Sequence, residues 1–150
     1  MVAEDRINMD IYKVVTRAIA ASDNLEDMAT QLTQLLVGAL GIKGSTIFVL
    51  NPATEELEAL ASFGLSINYM NKGPVLVKKS LDHQLKGEAI VIRDVTKTDR
   101  LQYPEDAQKE GINAIVSLPI SLHGKLIGVL RLYHYEQWDV SEQDLDSLMI

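Results

Sequence analysis

Arg131 stands between Val129 and Tyr133 in a run of alternating apolar residues, where a cation is out of place unless something holds it. A guanidinium on such a surface can grip a carboxylate or phosphate through two parallel hydrogen bonds. It would equally serve a salt bridge to an acid on a covering loop, and Asp94 and Asp99 are the candidates. Ser117 and Tyr133 offer hydroxyls and Asn113 an amide from the same stretch, each suited to a ligand or to capping loop backbone. Asp94 follows an apolar run where the chain leaves a strand, and either contacts ligand or closes a turn on its own backbone. The histidines, His83, His123 and His134, show no ligand spacing, whereas a metal site needs converging ligands. There is no Gly-rich phosphate loop, Gly-x-Ser-x-Gly elbow or His-Glu-x-x-His helix. The acidic pairs Glu4-Asp5 and Glu55-Glu56 fall at the N-terminus and in a turn, where solvation is the default. The sequence therefore assigns no catalytic residue, no metal and no cofactor.

What must position Arg131 is a hairpin. Apolar, β-branched runs flank His123-Gly124 between Asn113 and His134. A three-residue loop, Leu122-His123-Gly124 with Gly124 left-handed, would pair Ser121 with Lys125 and set even residues opposite even ones. One face then carries Ala114, Val116, Leu118, Ile120, Leu126, Gly128, Leu130 and Leu132 with no charge. The other carries Asn113, Ile115, Ser117, Pro119, Ser121, Ile127, Val129, Arg131 and Tyr133. A two-residue loop would put Arg131 opposite Val116 and mix the sets, because a one-residue slip turns a strand over. The even face is expected to be sealed by helices, and the odd face to floor a mixed polar and apolar pocket.

Composition narrows the function classes. The chain has 150 residues, 47% hydrophobic and 23% charged, which suits one domain, residues 1–150, with a substantial core. Its net charge of −7 and the absence of a basic run argue against nucleic-acid binding, which is driven by phosphate neutralisation. With no cysteine, disulfides, thiolate metal sites, thiol nucleophiles and thioether-linked chromophores are excluded. That fits a reducing cytoplasm, the expected location. No apolar run approaches the roughly 18 residues of a membrane span, and no signal-peptide pattern opens the chain, so direct membrane insertion is not expected.

The remaining elements follow from periodicity. Ile7, Ile11, Val14, Val15, Ala18 and Ile19 recur at helical spacing, predicting a helix over 7–21. Asn24 is an N-cap for a second helix, with Met28, Leu32, Leu35, Leu36 and Leu40 as its stripe and Gly41 at its end. Two helices so closely joined are expected to pack antiparallel. Strands follow at 45–50 and 57–63, the latter alternating Leu57, Ala59, Ala61 and Phe63 with polar or partly exposed neighbours. Residues 64–77 read as an irregular crossing, 78–86 as a short helix, 89–92 as a buried strand and 104–110 as a helix with Pro104 in its first turn. Ser141 caps a last helix whose stripe, Leu145, Leu148 and Met149, is expected to run on past Ile150 in a longer protein.

The order and wording of several stretches resemble the GAF family of regulatory ligand-binding domains. They are Gly87-Glu88-Ala89-Ile90-Val91-Ile92-Arg93-Asp94-Val95, Glu110-Gly111-Ile112-Asn113-Ala114 and Ser117-Leu118-Pro119-Ile120. His123-Gly124-Lys125-Leu126-Ile127-Gly128-Val129-Leu130 and Trp138-Asp139-Val140-Ser141-Glu142-Gln143-Asp144-Leu145 complete the series. The likeness spans nearly the whole chain. It implies an α+β fold of the GAF, PAS and profilin-like type. In it a central antiparallel sheet of five or six strands carries the terminal helices on one face. Loops and short helices cover a ligand pocket on the other.

The resemblance further implies a sensory role: a small molecule bound in the pocket, its state relayed through the terminal helices to an output domain, as in two-component signalling proteins. It also implies a homodimer through those helices, with no catalysis. The pocket candidates are then Arg131, Tyr133, Ser117, Ile115, Val129, Asn113 and Asp94, and the ligand is unnamed. The alternative is a ligand-free dimerisation module. Where many relatives have a glycine-rich entry to the helix before the third strand, this chain has Val75-Leu76-Val77-Lys78-Lys79-Ser80. Relatives with methionine sulfoxide reductase activity need cysteines, absent here, and the cyclic-nucleotide signature starting Asn-Lys is not completed after Asn71-Lys72.

Overall fold

A computed structural model of the chain describes residues 25–73, 75–76, 89–98, 101–138, 141 and 143. The helices expected over 7–21 and 78–86, Asn24, His83, Asp99 and most of the last helix lie outside the described residues. Helix α1 is Leu25–Leu40, with Glu26 and Asp27 in its first turn, where carboxylates oppose the helix dipole. Gly41 ends it in a left-handed conformation, φ 65°. The stripe it buries is rotated from the expected one: Ala29, Thr33, Leu36 and Leu40 are buried, and Met28, Leu32 and Leu35 only partly. Ala29 and Thr33 are small enough to let the helix approach the sheet closely, and the Thr33 hydroxyl is satisfied by the Thr30 carbonyl at 2.8 Å.

Strands β1 (Gly44–Asn51) and β2 (Glu56–Phe63) pair antiparallel. A bulge there leaves Leu60 without a partner, so Leu60 and Ala61 both turn toward α1, interrupting the alternation expected for this strand. The chain then makes one helical turn, α2 (Ile67–Met70), and a two-residue strand β3 (Val75–Leu76) on the edge of β2. Strand β4 (Ile90–Ile92), a 3-10 turn (Val95–Lys97) and helix α3 (Pro104–Glu110) follow. The long hairpin β5 (Ala114–Leu122) and β6 (Lys125–His134) closes the sheet. The strand order is β3-β2-β1-β6-β5-β4, antiparallel throughout, with β6 at the centre beside β1.

The hairpin turn differs from the expected one. Leu122 pairs with Lys125, so the loop is the two-residue His123-Gly124, with φ 51° and 76°. Two left-handed residues in succession give the turn whose twist matches that of paired strands. Ser121 pairs with Leu126, yet Ile120 pairs with Gly128, so Ile127 is bulged out of the ladder. The bulge restores even-with-even pairing: Arg131 lies opposite Ser117, not Val116. Leu126, on the turn side of the bulge, sits with the odd face.

Two cores result. Ala114, Val116, Leu118, Leu130 and Leu132 pack with Ile47 and Ala61 beneath α1. Ile115, Val129 and Tyr133 pack with Phe48 and Leu57 beneath a cover made by α2, the 3-10 turn and α3, which contribute Tyr69, Val95 and Ala107. The chain is therefore an α+β domain built on a six-stranded antiparallel sheet with distinct faces. Among the described residues, no helix is long and apolar enough to cross a membrane.

Candidate functional site

Strand pairing aligns Ser62, Thr46, Arg131 and Ser117 in one row across β2, β1, β6 and β5. Directly opposed residues share a face, so four polar side chains cross a surface whose adjacent rows are mainly apolar. Phe48 and Val129 pair on one side of the row, Tyr133 and Ile115 on the other. The row is part-connected. Thr46 and Ser62 hydroxyls lie 3.1 Å apart, and Ser62 Oγ donates to the Met70 thioether at 3.5 Å.

Arg131 is 1% exposed. Its Nε donates to Ser117 Oγ at 3.3 Å, and its guanidinium carbon lies 5.3 Å from the centre of the Phe48 ring. Nη2 is buried and has no hydrogen-bond partner among the described residues. No carboxylate among the described residues forms an ion pair with it. The Tyr133 hydroxyl is buried too, without a hydrogen-bond partner among the described residues. Thr46 and Arg131 lie beside it, close enough to oppose the rise in its pKa. The Tyr69 hydroxyl, carried by α2, is likewise buried without a partner. The two tyrosine rings meet edge to face, centroids 5.9 Å apart at 83°. Burial raises both phenols above the ordinary tyrosine pKa, with Arg131 opposing the shift, so both keep their protons at neutral pH.

A second cation stands over this group. Lys72 Nζ is 4.0 Å from the centre of the Tyr69 ring and 5.6 Å from that of Tyr103, and it donates to the Tyr69 carbonyl at 3.2 Å. Burial, and then repulsion from Arg131, lowers the Lys72 pKa to about 8. The cover is tethered by Ser66. Its hydroxyl accepts from Tyr69 N–H at 3.1 Å, capping α2, and donates to Glu110 Oε1 at 2.6 Å, while its N–H reaches Glu110 Oε2 at 2.7 Å. Burial pushes the Glu110 carboxyl up, but the two Ser66 hydrogen bonds, with Lys43 and Lys72, outweigh it and hold the pKa below the ordinary value.

Of the residues singled out from sequence, Arg131, Tyr133, Ser117, Ile115 and Val129 share this face. Asp94 does not join them. It caps the 3-10 turn, accepting from Thr96 N–H at 2.9 Å and Thr96 Oγ1 at 2.6 Å, and its other oxygen accepts from Gln137. Asn113 is exposed at the sheet end, where its side-chain amide donates to the Tyr135 carbonyl. His123 is exposed in the turn, while His134 lies on the α1 side, its ring 5.3 Å from that of Trp138. Sequence reading missed Tyr69, Lys72, Thr46 and Phe48. Thr46 and Phe48 had a signal, since they alternate with Ser45 and Ile47 in a short strand. Tyr69 and Lys72 had none, because one helical turn shows no period.

A family model described as GAF domain matches residues 22–150. Among solved structures, the fold is similar to that of the GAF domain of a Coxiella burnetii phosphoenolpyruvate-protein phosphotransferase, with 21% identity and TM-score 0.82 over 96% of this chain and 88% of that one. The corresponding Acinetobacter domain shares 17% identity, TM-score 0.79, over 98% and 87%. Free methionine-R-sulfoxide reductase from Neisseria meningitidis, solved in complex with its substrate, shares 14% identity, TM-score 0.76, over 98% and 88%. No curated protein sequence matches at a significant level.

Proposed function

The chain belongs to the GAF domain family, and on that premise we propose that it is a non-catalytic sensor domain. It binds a small molecule between the odd face of the β5–β6 hairpin and the cover formed by α2, the 3-10 turn and α3. One observation carries this reading. Arg131 is fully buried, with a guanidinium nitrogen that meets no partner among the described residues. An unsatisfied buried donor costs about 1–3 kcal/mol, more when charged, and a site built to receive a ligand accounts for that cost. The Neisseria reductase of the same fold was solved with its substrate bound. This chain lacks the cysteines that thiol chemistry would need, so binding without turnover is the reading favoured here.

Strand β6 supplies a route for relay. Its residues alternate between the site (Val129, Arg131, Tyr133) and the core beneath α1 (Leu130, Leu132). A ligand that reorders the cover shifts the equilibrium only by its differential affinity for the two arrangements. The output is a partner domain of a cytoplasmic signalling protein, reached through terminal helices that also pair two copies. Native mass spectrometry of freshly purified chain tests the binding step. A stoichiometric bound mass, lost on denaturation, is expected; repeated absence of any bound mass, with no thermal stabilisation by a metabolite library, would sink the sensor reading.

A further inference from the structure

Among the described residues, the unpartnered side-chain atoms on the covered face are all of one kind. Arg131 Nη2 and the hydroxyls of Tyr69 and Tyr133 can each donate a hydrogen bond, and each is buried without an acceptor. They are close neighbours. Arg131 and Tyr133 are two apart on the same face of β6, and the Tyr69 ring packs edge-on against Tyr133. We propose that the site takes a small organic monocarboxylate. Its two oxygens accept from Arg131 Nη2, Tyr69 and Tyr133, and its hydrocarbon body lies against Phe48 and Val129. The proposal rests on the sensor reading above and names the chemical class of its ligand.

Charge and valence favour a carboxylate over its rivals. A carboxylate has charge −1 and about four lone-pair positions on two oxygens, so it cancels one buried guanidinium and satisfies three donors at once. A phosphate monoester carries about −1.5 to −2 and would leave negative charge uncompensated among apolar side chains. Lys72 directs its ammonium to the Tyr69 carbonyl and to the Tyr69 and Tyr103 rings. A phosphate would have to draw it away from those contacts to balance its second charge, whereas a carboxylate is matched by Arg131 alone. A neutral amide would satisfy hydrogen bonds yet leave the guanidinium buried without a counter-charge. Among the described residues, the body of the ligand faces the apolar Phe48, Ile115 and Val129 that flank the row. Tyr69 is carried by α2, so α2 is the part of the cover that the ligand engages directly. That segment is one turn long, and its N-terminus is held by the Ser66–Glu110 contact on the surface.

The test is thermal shift and calorimetry on the full chain with a panel of aliphatic and aromatic monocarboxylates, benzoate and phenylacetate among them. Each acid is run beside its carboxamide and the phosphate ester of matching size. At least one carboxylate should stabilise the chain while its carboxamide and phosphate do not. Arg131→Gln should weaken that affinity at least tenfold, Arg131→Lys by less, and Tyr69→Phe or Tyr133→Phe by about threefold to tenfold. Circular dichroism on each variant separates lost binding from lost fold, and the two phenylalanine variants keep the test open if the arginine variants do not fold. A carboxamide or phosphate that binds as well as its acid overturns the carboxylate assignment and leaves the sensor reading standing, as does a stoichiometric bound mass lacking an acidic group. No stabilisation by any acid overturns the assignment, and absence of any bound mass as well overturns both.

Discussion

Arg131 exacts a stability cost that a hydrophobic residue of similar length would not. The guanidinium gains from Phe48 and from one hydrogen bond to Ser117, but Nη2 gains nothing. Replacing a buried ionic group with a well-packed apolar one is often neutral or stabilising. Arg131→Met is therefore expected to leave the unliganded chain as stable as before or to stabilise it by up to about 2 kcal/mol, measured by urea unfolding, while ligand binding is lost. A clear loss of stability in that variant would mean that Arg131 is a structural linchpin instead. Glu110 makes the complementary case on the surface. Its carboxylate is favoured in the folded state by the two Ser66 hydrogen bonds, so its contribution is complete above the ordinary carboxylate range. That contribution fades as pH falls through the lowered folded-state value. Glu110→Gln should lower stability in the neutral region and flatten the acid limb of the stability–pH curve, so that variant and parent converge at low pH.

At the scale of elements, the close contact of β1 and β6 depends on Gly128. A Cβ there would lie 2.3 Å from the Phe48 carbonyl oxygen, which is backbone and has no room to withdraw. Gly128→Ala should destabilise by about 1–3 kcal/mol, the usual range for overpacking, and should disturb the site as well, since Phe48 supports the Arg131 guanidinium. Guanidinium-chloride titration read by circular dichroism, together with ligand affinity, measures both effects. The odd and even faces of the hairpin were legible in the sequence because polarity alternates with the pleat. The turn was not. A left-handed residue other than glycine, such as His123, is uncommon, so a single glycine pointed to a longer loop. The rotation of α1 was hidden for a related reason. Hydrophobicity marks Met28 and Leu32, whereas close helix–sheet approach selects the small Ala29 and Thr33.

Across the whole molecule, a sheet with two unlike faces sets the candidate site and helix α1 on opposite sides of β1. The resemblance to GAF domains anticipated the antiparallel α+β sheet, and the family match and the fold agree with it. The detail of the site was less accessible, because it joins residues far apart in sequence. Thr46, Tyr69 and Ser117 reach Arg131 or its neighbour Tyr133 only through strand order and the fold-back of α2. Asp94 and Asn113 sit where polar residues end strands, and their partners are local or at the sheet end rather than inside. A polar residue near a strand terminus thus carries less information about a site than one embedded between apolar neighbours.

The bulged residue Ile127 has a consequence best put as a reading frame. A hairpin with a two-residue turn needs one residue fewer than this one has, and the bulge absorbs the excess before Gly128. Removing Ile127 would leave Gly128 opposite Ile120 and Arg131 opposite Ser117, so the frame survives. Removing Val129 instead would shift every later residue of β6 by one, turning Arg131 and Tyr133 toward α1. The deletion of Ile127 should therefore fold and bind as the parent does, with a melting temperature within a few degrees, while deletion of Val129 should fail to fold. In this hairpin, length can vary by one residue at one place without moving the site.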